Sequence, residues 1–140
     1  MFIIGQSSTE QRILALKNTG GVLAPPFGIM QVFGMQFSES AQRWSVQVGQ
    51  PTDDNAKLFV INGPTELGID EESLGTWDWP TWVLFDDADG TPAIDEVWGV
   101  ASGTFKARKG KRGLITIPAE FEDETQVEDL TFVMLEYCRP

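Results

Sequence analysis

The sequence predicts an all-β protein, a small sandwich or barrel of short antiparallel strands with an extended N-terminal arm. Three observations point there. Fourteen glycines and eight prolines are spread along 140 residues rather than clustered. Between them lie short β-branched and aromatic runs, the punctuation of many short strands. No stretch carries the long 3.6-residue apolar period of an amphipathic helix. A chain of this length can bury a core without metals or disulfides. Residues 12–140 are therefore read as a single β domain and residues 1–11 as the arm.

The arm is distinguished by Phe2-Ile3-Ile4, followed by polar Gln6–Gln11 with no turn signal to fold the apolar triplet back. It reads either as a first edge strand or fraying tail, or as an arm that docks on a neighbouring subunit. Each apolar side chain buried in docking would contribute roughly 1.5–3 kcal/mol. The start has neither the basic flank nor the long apolar region of a signal peptide. No apolar run approaches the roughly 18 residues of a membrane span. Synthesis in the cytoplasm without a membrane partner is the expectation.

The first strand expected is Arg12–Lys17. Ser7-x-x-Glu10 is a capping-box pattern that would start a helix over Gln11–Asn18, but Ile13-Leu14-Ala15-Leu16 lacks a wide polar face, which favours a strand. Gly28–Phe33, Arg43–Gln47 and Ala56–Ile61 follow, and Ile69–Leu74 fits a helical turn. The remaining strands expected are Thr81–Phe85, Val97–Val100, Gly103–Lys106, Gly113–Pro118 and Leu130–Tyr137. Asn18-Thr19-Gly20-Gly21, Asn62-Gly63-Pro64 and Asp89-Gly90 supply turn residues that tolerate positive φ.

Histidine is absent, and the sole cysteine is Cys138. A Ser-His-Asp triad, a Cys-His pair, a histidine metal ligand and a CxxC redox pair are all excluded. A single cysteine cannot form an internal disulfide and gives no sign of an oxidising compartment. With 21 acidic residues, paired carboxylates carry no signal for glycoside hydrolysis. No enzyme, cofactor or metal site is expected. The net charge of −11 opposes nucleic-acid binding, which needs a surplus of Lys and Arg, and suits a partner with a basic patch.

Three constellations remain. Lys106, Arg108, Lys109, Lys111 and Arg112 hold five of the ten basic residues, and they read as a hairpin tip pivoting on Gly110 and Gly113. Such a tip is either a solvated turn or a clamp on an acidic surface, including one on a neighbouring copy. Glu120–Asp129, with six acids in ten residues, is the natural acceptor, and a clamp between copies would make assembly salt-sensitive. Asp86-Asp87-Ala88-Asp89-Gly90 invites a calcium reading, but Thr91-Pro92-Ala93 interrupts the ligand series, so a turn is favoured. Trp77, Trp79 and Trp82 fall within six residues. Indoles at this density fill a β core or an oligomer interface, although they could also stack on a sugar.

Taken in order, Asn18-Thr19-Gly20-Gly21-Val22-Leu23-Ala24-Pro25-Pro26-Phe27-Gly28-Ile29 is similar to an opening found in small structural proteins of tailed bacteriophages. The likeness continues through Asn62-Gly63-Pro64, Gly75, Asp78, Pro80 and Trp98-Gly99. It then runs through Gly103-Thr104-Phe105-Lys106, Lys109-Gly110 and Gly113. It spans Ile13 to Ile117 and leaves out the chain from Pro118 on. What the resemblance implies is a virion component of capsid cement or decoration type. Such a protein bridges neighbouring major capsid proteins on the capsid surface and acts as a homotrimer. The alternative is a tail, head–tail connector or fibre-associated protein that contacts a receptor or glycan. Phe2, Ile3, Ile4 and the five cations would then dock on partners, with Trp77, Trp79 and Trp82 in the core or oligomer interface.

Overall fold

A computed structural model describes residues 13–76, 81–117 and 130–136. Its strands are β1 (Ile13–Asn18), β2 (Ile29–Ser38), β3 (Arg43–Gly49), β4 (Phe59–Asn62) and β5 (Glu72–Thr76). They continue as β6 (Thr81–Leu84), β7 (Val97–Gly99), β8 (Arg108–Lys109), β9 (Gly113–Ile117) and β10 (Leu130–Leu135). Asp87–Asp89 forms a 3-10 turn and no α-helix occurs among the described residues, so the protein is all-β.

The first five strands close into a barrel in the order β1-β3-β2-β4-β5, with β5 returning to β1. Closure pairs the barrel strands on both edges, while β2 beyond Val32 pairs with β3 alone. Ile13–Asn18 is a strand because β3 and β5 lie on either side of it. One pairing departs from the antiparallel expectation. β2 and β3 form a hairpin, and β1 lies against the far side of β3, where it runs parallel with Leu16 opposite Val46. Leu16, Met30, Val46, Val48 and Val60 fill the interior together with Ala24, Leu67 and Phe105.

β5 replaces the helical turn expected at Ile69–Leu74. It carries no apolar alternation: Leu74 faces solvent, and Gly75 is buried where a Cβ would lie 2.2 Å from Leu16 Cδ1. Strand pairing on both edges, rather than its own composition, makes this segment extended.

The second sheet runs β6-β10-β9-β7-β8. Its two ends meet where Phe85 bridges Ala107, with Ala107 N–H donating to Leu84 O at 2.9 Å and Asp86 N–H donating to Ala107 O at 3.0 Å. The sheet packs on the outside of the barrel. Val60 points into the barrel, while Phe59 and Ile61 on the same strand, with Ile29, meet Val83, Phe85, Trp98, Val100, Leu114 and Val133. All four β4 residues are buried for this reason, since both faces of the strand are covered. Phe85 and Trp98 pack edge to face with centroids 5.8 Å apart.

Two buried asparagines tie the loops to this frame. Asn18 Nδ2 donates to Val22 O (2.7 Å) and Leu67 O (3.0 Å), and its Oδ1 accepts from Gly20 N–H (3.0 Å). Asn62 repeats the pattern with Pro25 O, Thr65 O and Gly63 N–H, each at 2.9 Å. The backbone of Phe27, at φ 60°, lies between the sheets: its N–H donates to Gly63 O and its O accepts from Leu84 N–H, both at 3.0 Å. The segment from Asn18 to Ile29 is thus the joint between barrel and sheet.

Candidate functional site

Three surface features could carry function: the basic stretch, a cavity beside it, and an apolar stripe on the β2–β3 hairpin. The basic stretch is not a hairpin. β8 and β9 do not pair with each other; each pairs antiparallel with β7, one on either side. Gly110 N–H donates to Val97 O at 3.0 Å, and the chain then crosses β7 to reach Gly113 opposite Gly99. The crossing is possible because Gly99 has no side chain: a Cβ there would sit 1.8 Å from Arg112 O.

Four of the five cations are held by carboxylates of the same chain. Arg108 grips Asp89 through Nε (2.6 Å) and Nη2 (3.1 Å), with Asp86 at 3.7 Å. Lys109 Nζ lies 3.1 Å from Glu96, and Lys111 Nζ lies 3.3 Å from Asp54. Arg112 makes a two-pronged contact with Glu136, whose side chain is 7% exposed and also accepts from Gly113 N–H at 2.9 Å. Lys106 is exposed and has no ion-pair partner among the described residues.

These contacts set the titration of the loop. The Arg108 guanidinium holds Asp89 below the usual carboxylate range, and Asp89 in turn raises Arg108. Asp54 is lowered first by the Ser102 N–H and then by Lys111. Glu96 falls to about 2 because Ala93 N–H, Trp98 Nε1–H and Lys109 all favour its charged form. Asp86 accepts from Ala88 N–H at 3.0 Å and caps the 3-10 turn, so the Asp86–Gly90 segment is the turn that its sequence favours.

A cavity of about 390 Å³ opens beside the crossing, lined by Asn55, Ala56, Lys57, Phe59, Arg112, Gly113 and Leu135. Asn55 is committed to the fold, since its Oδ1 accepts from Arg112 N–H at 2.8 Å.

The apolar stripe is the feature the sequence reading missed. A bulge between Val32 and Gly34 adds Phe33 to β2 and resets its alternation. Beyond it, Met35 and Phe37 continue the inward face begun by Met30 and Val32. They stand opposite Val46 and Trp44. Val46 is covered by the barrel, but the hairpin outruns the barrel, leaving Met35 56%, Phe37 40% and Trp44 59% exposed. The Phe37 and Trp44 rings meet edge to face at 5.3 Å.

Phe2, Ile3, Ile4, Trp77, Trp79 and the acidic stretch Glu120–Asp129 lie outside the described residues. Trp82 is half-buried on β6, level with Phe132 of β10. The structure therefore gathers Arg108, Lys109, Lys111 and Arg112 around the β7 crossing, far along the chain from the stripe residues. Comparison with family models, curated proteins and solved structures finds no match to this chain.

Proposed function

We propose that this chain is a structural component of a tailed-phage virion, a cement protein that bridges major capsid proteins on the shell as a homotrimer. The observation that carries the reading is the exposed stripe of Met35, Phe37 and Trp44. A contiguous apolar surface at the end of a well-packed body marks a protein–protein contact. The resemblance from Ile13 to Ile117 supplies the virion context. Its residues fall at the joint between the sheets (Asn18–Ile29, Asn62) and at the crossing (Gly99, Gly110, Gly113).

The charge pattern fits the same role. Arg108, Lys109, Lys111 and Arg112 are neutralised by their own chain, which removes the positive field that a nucleic-acid backbone requires. Lys106 remains as a polar contact for a partner, and Phe2, Ile3 and Ile4 supply apolar docking groups. Trp77, Trp79 and Trp82 are assigned to core or trimer interface.

Cryo-electron microscopy of purified parent particles tests the proposal. Density for this chain at three-fold and quasi-three-fold positions across the shell is the expected result. Density confined to the tail or portal vertex would move the chain to the connector or fibre-associated alternative. Absence from particles would end the virion reading.

A further inference from the structure

The parallel register between β1 and β3 fixes where the N-terminal arm enters the body. Leu16 is opposite Val46 and Asn18 opposite Val48, so continuing the register two residues back places Leu14 level with Trp44. Ile13, the first described residue, therefore stands at the end of the barrel where Met35, Phe37 and Trp44 are exposed. Nine residues upstream of Ile13 stands the apolar triplet Phe2-Ile3-Ile4, the obvious complement to such a stripe.

The chain length brings a neighbour's stripe within reach. An extended strand rises about 3.3 Å per residue, so Ile4 can reach roughly 30 Å from Ile13. In that continued register Trp44 is the residue of the adjacent strand level with Leu14. That reach is several times the spacing of adjacent strands, so the arm is long enough to pass its own stripe and meet that of a neighbouring copy.

We infer that copies of this chain exchange arms: Phe2, Ile3 and Ile4 of one copy dock on Met35, Phe37 and Trp44 of the next. The inference rests on the reading of the arm as a docking element and names its acceptor. The contact is heterologous, since arm and stripe are different surfaces, and such contacts build a closed ring when the rotation closes. It also caps the open end of the inward face that each barrel leaves bare.

The test uses full-length chains in a Cys138→Ser background, one carrying Ile3→Cys and the other Phe37→Cys. The two are mixed, one of them isotopically labelled, and oxidised. A disulfide between labelled and unlabelled chains, identified by peptide mass, is the expected product. Adding Trp44→Glu to the acceptor should reduce its yield at least tenfold. Trp44 is exposed, so this variant is expected to fold, and an unchanged thermal unfolding profile verifies that. No mixed disulfide overturns the inference. So does a chain carrying both cysteines that closes on itself as a monomer, which would assign the stripe to its own arm.

Particle occupancy is scored separately. Mixed disulfides from a protein absent from virions would keep arm exchange and remove the cement role. A chain found on the shell without such disulfides would do the reverse.

Discussion

Gly99→Ala tests the crossing over β7 most directly. The substitution adds one methyl group, and Gly99 lies in a strand, so the change acts through contact and not through backbone preference. The added Cβ would lie 1.8 Å from Arg112 O, 2.4 Å from its carbonyl carbon and 2.8 Å from its nitrogen. Ordinary contact needs about 3.4 Å, so the crossing chain must retreat by about 1.5 Å.

That segment is anchored by Gly110 N–H to Val97 O, Arg112 N–H to Asn55 Oδ1 and Gly113 N–H to Glu136 Oε1. A retreat of that size breaks at least two of these bonds, each worth about 0.5–1.5 kcal/mol, with more lost at the buried carboxylate. With overpacking of about 1–3 kcal/mol, the expected loss is about 3–5 kcal/mol. For a domain of this size that lowers the melting temperature by roughly 10–20 °C. Gly103→Ala is the control: its φ is +80° and no atom lies within 4 Å of the added carbon. It should cost only about 1–2 kcal/mol. Both are read by thermal and urea unfolding. A Gly99→Ala variant no less stable than Gly103→Ala would refute the crossing.

Two further outcomes follow from the same loop. Arg112→Ala removes two donors from the buried Glu136 carboxylate and should cost about 1–3 kcal/mol; the single ammonium of Arg112→Lys should restore only part of it. Equal stability of all three proteins in urea unfolding would show the pair to be inert. Glu96, held at about 2 against an ordinary 4.5, contributes stability that is complete above pH 4.5 and disappears as pH falls towards 2. The melting-temperature gap between wild type and Glu96→Gln should therefore be constant above pH 5 and shrink from pH 4.5 downward. A gap that widens on acidification would contradict the direction of the shift.

Most strands were legible because their side chains alternate or run apolar between turn residues, as in Ile29–Val32 or Gly113–Ile117. β5 was not, because Glu72-Ser73-Leu74-Gly75 has no apolar face and is held extended by β1 and β4. β8 is two cations, Arg108 and Lys109, that no propensity argument would place in a sheet. The parallel register of β1 on β3 and the closure of the barrel are long-range facts that local patterning does not encode.

The cation partners were hidden for a similar reason. Asp54, Asp89, Glu96 and Glu136 lie 13 to 57 residues from the cations they hold, whereas the sequence drew the eye to the nearby run Glu120–Asp129. Phe33, Met35 and Phe37 look like core. Only the bulge and the length of the hairpin put them outside, although Trp44 beside Arg43, just past a polar turn, was a signal for it.

The two ways of joining copies predict opposite responses to salt. A clamp of cations on a neighbour's acidic surface is attractive, so added salt should screen it and lower the oligomer mass. Arm exchange is apolar, and each copy carries a net charge of −11, so copies repel one another at low ionic strength. Raising salt from about 10 mM to 150 mM shortens the Debye length from about 30 Å to 8 Å and weakens that repulsion. Since four of the five cations are already neutralised within the chain, repulsion should dominate and the oligomer fraction should rise with salt. Light scattering across that range, at fixed protein concentration, reads the sign. A falling mass would return the cations of the β7 crossing, with Lys106 foremost, to the contact between copies and would leave the apolar stripe without its role in assembly.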